Sequence, residues 1–186
     1  VAAQLKAGLY QADAEQVKTA MEEFFNQRLK FRLSEKGYRH DVIEAALEPK
    51  LTVGANEKRA AMLEQATQRP TFKKTVEQLS RVLNISKKAE SVVVVNPALF
   101  ENEAERALHE QIEQLIPQVE AAVEKADYEQ AIQVLEASVP AITAYFDGTM
   151  IMAEEEAVRT NRLSEMKRFA TAIEKVARFK DRKSVV

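Results

Sequence analysis

Residues 152–179, MAEEEAVRTNRLSEMKRFATAIEKVARF, decide the fold class of this chain. Leu163, Met166, Phe169, Ile173 and Val176 recur at steps of three and four, the beat of a helix that buries one face. Neither glycine nor proline interrupts the run. Glu154, Glu155 and Glu156 stand where the positive end of a helix dipole favours acids. The pattern predicts one long helix from about Met152 to Phe179.

The same beat continues upstream. Asp13 and Gln16 form a capping-box pair, and Gly37 supplies a stop. Between them Val17, Met21, Phe24, Phe25, Leu29 and Leu33 predict a core-facing stripe, with Arg28, Lys30 and Arg32 opposite. A short helix is expected over Asp41 to Leu47, ended by Pro49. Thr52 to Asn56 reads as a connection, with Asn56 capping a helix to about Gln68.

Pro70 begins the next helix, with Phe72, Val76, Leu79 and Leu83 as its apolar stripe. The four valines at 92–95 are the only strand-like stretch. With no second strand to pair with, they are expected to form a buried extended linker ending at Asn96-Pro97. A helix from Pro97 should break near Pro117. Another should run from Asp127 to Val139, with Tyr128, Ala131, Ile132 and Leu135 inward. No repeat or heptad array is present. The chain is thus expected to be an all-α helical bundle, residues 69–186, preceded by a helical extension over 1–68.

Composition narrows the function. Of 186 residues 46% are apolar and 30% charged, with only 4 glycines, which suits long helices and not a disordered chain. There is no cysteine, so disulfides and thiolate metal ligands are excluded. No apolar run approaches the ~20 residues that span a bilayer, and no membrane role is expected. The chain opens on Val1 inside what reads as helix, as a piece of a longer polypeptide would.

The net charge of −2 covers an asymmetry. Residues 100–140 carry ten acids and two bases, whereas residues 156–186 carry nine bases and four acids. Residues 71–90 carry five bases and two acids. A polyanion would meet the basic segments and be repelled by the acidic one.

Catalytic signatures are missing. His40 and His109 lack metal-ligand spacing, there is no glycine-rich phosphate loop, and no serine sits in a nucleophile elbow. The segment reads as one that binds or builds, without a catalytic centre of its own.

Several stretches together resemble the β subunit of the bacterial two-subunit glycyl-tRNA synthetase. The most specific is YFDGTMIMAEEEAVRTNRL, residues 145–163. RLKFRLSEKGYRHDVIEAAL (28–47), RVLNI (81–85) and VNPALFENEAERAL (95–108) match in the same order. Ser164-Glu165-Met166 departs from the leucine-rich continuation of that family, and so does the tail from Lys180 to Val186.

The resemblance implies a C-terminal anticodon-binding domain of the DALR type, a helical bundle shared with arginyl-tRNA synthetase. It implies a cytoplasmic parent enzyme that attaches glycine to tRNA using ATP and Mg, as an α2β2 tetramer or a related assembly. Glycine activation would belong to the α subunit, so this segment would carry neither a catalytic residue nor a cofactor. Its partners would be tRNA-Gly, the α subunit and the rest of the β subunit.

Glycine anticodons carry two adjacent cytosines, each offering O2 and N3 as acceptors and N4 as a donor. Bases in a single-stranded loop are read on such edges. Arg159 and Arg162 share a helix face, with Asn161 beside them and Lys167 and Arg168 about a turn on. Arg81 and Asn84 are likewise three apart, followed by Lys87 and Lys88.

These nine are the candidate tRNA-binding residues. Arg159 and Arg162 could instead pair with Glu155 and Glu165 along the helix, and Asn84 could close a helix end. Asp147 suits a cap or turn, and Phe146, Met150 and Met152 suit the core better than a stacking platform for a base. An alternative function is a protein-interaction bundle that docks subunits or domains without reading RNA.

Overall fold

The computed structural model of the protein describes residues 13–48 and 52–179, and these form an all-α bundle. Helix α1 (Ala14–Glu35) starts at Asp13, whose carboxylate accepts from the Glu15 amide, and ends before Gly37 at φ +83°. A left-handed turn of that kind suits glycine. Helices α2 (His40–Ala46) and α3 (Val53–Thr67) follow, then α4 (Phe72–Ser86). After the valine segment and a 3-10 turn at Pro97–Leu99 come α5 (Glu103–Glu124), α6 (Tyr128–Ala137), α7 (Val139–Gly148) and α8 (Glu156–Val176).

The core was largely visible as apolar spacing. Phe72, Val76, Leu79 and Leu83 of α4, the inward residues of α6, and Leu163, Met166, Phe169, Ile173 and Val176 of α8 are all buried. Helices α4 and α8 pack along each other. They run antiparallel, because the Phe72 ring at the start of α4 meets Phe179 beyond the end of α8, 6.4 Å between centroids.

Several element ends differ from expectation for local reasons. Thr52, not Asn56, caps α3, its hydroxyl accepting from the Ala55 amide. Asn56 is buried one turn in, where its carboxamide holds both the amide and the carbonyl of Glu48. Pro117 does not break α5, which buries Leu108, Ile112, Leu115 and Val119 on one face. One missing amide bond is tolerated when that face is packed. Pro140 sits in the first turn of α7, where the lost donor had no partner in any case. The long helix starts at Glu156, four residues later than Met152. The stop expected at Pro49 and the tail from Lys180 lie outside the described residues.

The extension is tied to the bundle. Arg59 of α3 is buried, its Nε donating 2.6 Å to the Val176 carbonyl and its guanidinium lying 5.8 Å from the Tyr128 ring. Burial pushes its pKa down. The Arg178 amide donates to the Ala45 carbonyl at 2.9 Å.

Candidate nucleic-acid interface

The candidate residues fall into two environments. On α8, Asn161 and Arg162 are buried. The Asn161 carboxamide accepts from the Asn96 amide at 2.7 Å and donates to the Asn96 carbonyl at 3.1 Å. One turn along, the Ser164 hydroxyl accepts from the Val93 amide at 3.0 Å. Two side chains of one helix thus do for the valine segment what a neighbouring strand does with its backbone.

That pairing revises the expectation of a buried linker. Val95 is inward, but Val92, Val93 and Val94 are exposed, Val94 almost completely.

Arg162 is the hub of the buried set. Its guanidinium takes the Glu105 carboxylate through Nε at 3.0 Å and through a terminal amine at 2.7 Å. It also donates to Glu101 at 2.6 Å and to the Met150 carbonyl at 3.0 Å. The bond to Glu105 is the main reason its pKa rises above the ordinary arginine value. Paired in this bidentate way, both ions are satisfied inside the bundle. The Glu105 carboxylate also accepts from Asn102 and from the Glu101 amide.

The acidic helix α5 packs against the basic helix α8. Arg168 pairs with Glu113 and Glu165, Lys175 pairs with Glu120, and His109 Nδ1 lies 3.1 Å from Glu165. Glu165 is buried, which pushes its pKa up against the pull of His109 and Arg168. His109 therefore serves an intramolecular pair, and no metal-binding cluster occurs among the described residues. Ser164 and Glu165, the departures noted in the sequence, are both engaged in these contacts.

The second environment is outward. Asn84, Lys87 and Lys88 are exposed at the end of α4, with Lys87 Nζ donating 3.1 Å to Asn84 Oδ1. Arg81, half-buried one turn earlier, lies over the Phe146 ring at 4.2 Å and donates to Gln78 at 3.1 Å. Phe146 itself is only partly buried, while Met150 and Met152, expected in the core, are exposed. Asp147 is exposed too. Because α4 and α8 are antiparallel, this end of α4 faces the first turns of α8. There Arg159 is half-buried and donates to the Ala153 and Glu154 carbonyls at 2.7 and 3.0 Å, stitching the loop that leads into α8. Lys167, further along, is exposed.

Spacing alone missed Asn96, Glu101 and Glu105, the partners that decide which bases are occupied. Glu105 lies 57 positions from Arg162, and no local period links them.

The described residues thus form an all-α bundle with exposed lysines and a partly buried aromatic ring at one end of α4. The chain belongs to the DALR anticodon binding domain family, whose profile matches residues 75–178. Over a longer stretch it is similar to the β subunits of glycine–tRNA ligases. The relative from Bacillus subtilis is 40% identical over 156 residues, 83% of this chain and 23% of its own length. That from Halalkalibacterium halodurans is 38% identical over 162 residues, 87% of this chain and 23% of its own. That from Shouchella clausii is 38% identical over 176 residues, 94% of this chain and 25% of its own. The chain spans about a quarter of the length of the curated relatives it matches.

Proposed function

We propose that this chain is the anticodon-recognition part of a glycine–tRNA ligase β subunit and that it meets tRNA-Gly at the outward end of α4. The observation that carries the reading is the group at the end of α4 formed by half-buried Arg81 over the Phe146 ring and by the exposed Asn84, Lys87 and Lys88. Lys87, Lys88 and Lys167 suit phosphates, which set position without selecting sequence. Arg81 and Asn84 carry donors for the O2 and N3 acceptors of cytosine, and the exposed carboxylate of Asp147 can accept from N4. The Arg81–Phe146 pair offers a planar surface for an unstacked base.

Asn161 and Arg162 support this edge from within by fixing residues 96–105 and the loop at Met150. Arg159 and Arg168 hold neighbouring structure and lend their charge to the surface. The chemistry of aminoacylation, with ATP and Mg, belongs to the rest of the enzyme. Glycine activation falls to the α subunit, and the assembly works in the cytoplasm.

In the whole enzyme, Arg81→Ala should raise the KM for tRNA-Gly by roughly tenfold, the worth of one stacked or hydrogen-bonded base, with little change in kcat. Glycine-dependent ATP turnover without tRNA should stay unchanged. An unaltered KM would remove Arg81 from the reading.

A further inference from the structure

Helix α1 has two apolar faces, and the bundle uses one. Leu29 and Leu33 are buried against α2 and α3. Met21, Phe24, Phe25 and Phe31 are each more than half exposed. At ~100° per residue, the face centred on Met21, Phe24 and Phe31 lies roughly 150° around the helix from Leu29 and Leu33. Turning α1 to bury one set would therefore expose the other. Arg28 lies on the outward face, its guanidinium 6.0 Å from the Phe31 ring. Beside Phe24 a cavity of about 480 Å³ opens between α1 and the α2 region, lined among others by Lys30, Glu44, Leu47 and Arg178.

We infer that this outward face docks the remainder of the β subunit, the three quarters of the relatives' length that this chain does not span. The inference rests on the proposed identity of the chain as part of that subunit. Its own support comes from three observations. First, the anticodon-binding profile begins at residue 75, whereas the 176-residue match to a β subunit must include α1. The extension is thus shared with whole β subunits and lies outside the anticodon module.

Second, the size of the patch fits a tethered partner better than a second copy. Side chains of this kind bury about 150–250 Å² each, so four of them half exposed offer about 400 Å². Doubled in a symmetric dimer, that is about half the ~1,600 Å² of a standard stable interface. A domain on the same polypeptide needs less, because the tether supplies a high effective concentration.

Third, the chemistry is one-sided. Three aromatic rings and a methionine surround Arg28, and Arg32 at the edge of the face already pairs with Glu57, so the covering surface is mainly apolar, with a polar knob to enter the cavity beside Phe24.

The test uses Phe24→Cys, in a chain that has no cysteine of its own. Maleimide labelling of the peptide that holds residue 24 is followed by mass spectrometry, in this 186-residue chain and in the full-length subunit. Glu110→Cys, exposed on α5, gives the reference rate in each. Labelling at 24, relative to 110, should be at least tenfold slower in the full-length subunit than in the chain. Equal relative rates in both would overturn the inference. Slow labelling in the chain alone that becomes faster on dilution would overturn it in favour of a second copy. Affinity for tRNA-Gly, measured on the same preparations, reports on the anticodon reading independently. Binding with an open α1 face would sink only the docking surface. A covered face without tRNA binding would sink only the anticodon reading.

Discussion

Asn161-Arg162 on α8 and Arg81 to Lys88 on α4 are two runs of the same residue types on adjacent helices, and they do opposite things. In the first, every named polar group is spent within the fold on Asn96, Glu101, Glu105 and Met150. In the second, the side chains lie at an open edge, engaged with their own neighbours Gln78, Asn84 and Phe146. The difference comes from what lies across from each helix. The inward face of α8 meets an acidic helix, and the end of α4 meets a partly exposed aromatic ring. A basic motif signals a binding surface only once the neighbouring acids have been placed.

The contrast can be broken most forcefully at Arg162. Arg162→Met leaves the buried Glu105 carboxylate without its cation and should cost roughly 3–5 kcal/mol of stability in urea unfolding. The double variant Arg162→Met with Glu105→Leu should regain most of that loss, because both charges are gone. A loss under ~1 kcal/mol for the single variant, the worth of an exposed pair, would mean that the pair is solvated and the two environments alike.

A smaller effect is expected at Asn161. Asn161→Ala removes both bonds to the Asn96 backbone and should cost roughly 1–3 kcal/mol. Faster hydrogen exchange should appear at the amides of residues 93–96. Unchanged exchange there would show that the valine segment holds itself in place.

The smallest stability change belongs to the outward edge. Lys87→Ala with Lys88→Ala should alter unfolding free energy by less than ~0.5 kcal/mol. The same variant should lower the salt slope of tRNA binding by about 1–2, one phosphate contact per lysine. A destabilised variant with an unchanged slope would reverse the roles assigned to the two helices.

Much of the fold could be read from apolar period. The stripes on α4, α6 and α8 depend on spacing within one helix, which the sequence displays directly. The failures share a cause in distance along the chain. Phe25 keeps the same beat as Leu29 and Leu33, yet only the latter pair finds α2 and α3 beneath it. Val92 to Val94 look like core by composition, but Asn161 and Ser164, some 70 positions away, hold the segment by its backbone and leave those side chains outside.

The candidate site was legible in the same uneven way. The two basic segments stood out, and their helices are neighbours. Which bases are paired within the fold depends on Glu105, Glu113 and Glu120, acids on α5 whose register against α8 exists only in the folded chain.

The most direct test of the whole account is binding of this chain to tRNA-Gly across a salt series, beside a tRNA-Gly variant with both anticodon cytosines replaced. Anticodon reading predicts that the variant binds at least tenfold more weakly, while both share one salt slope because their phosphate contacts are the same. Equal affinity for the two tRNAs at every salt concentration would contradict it.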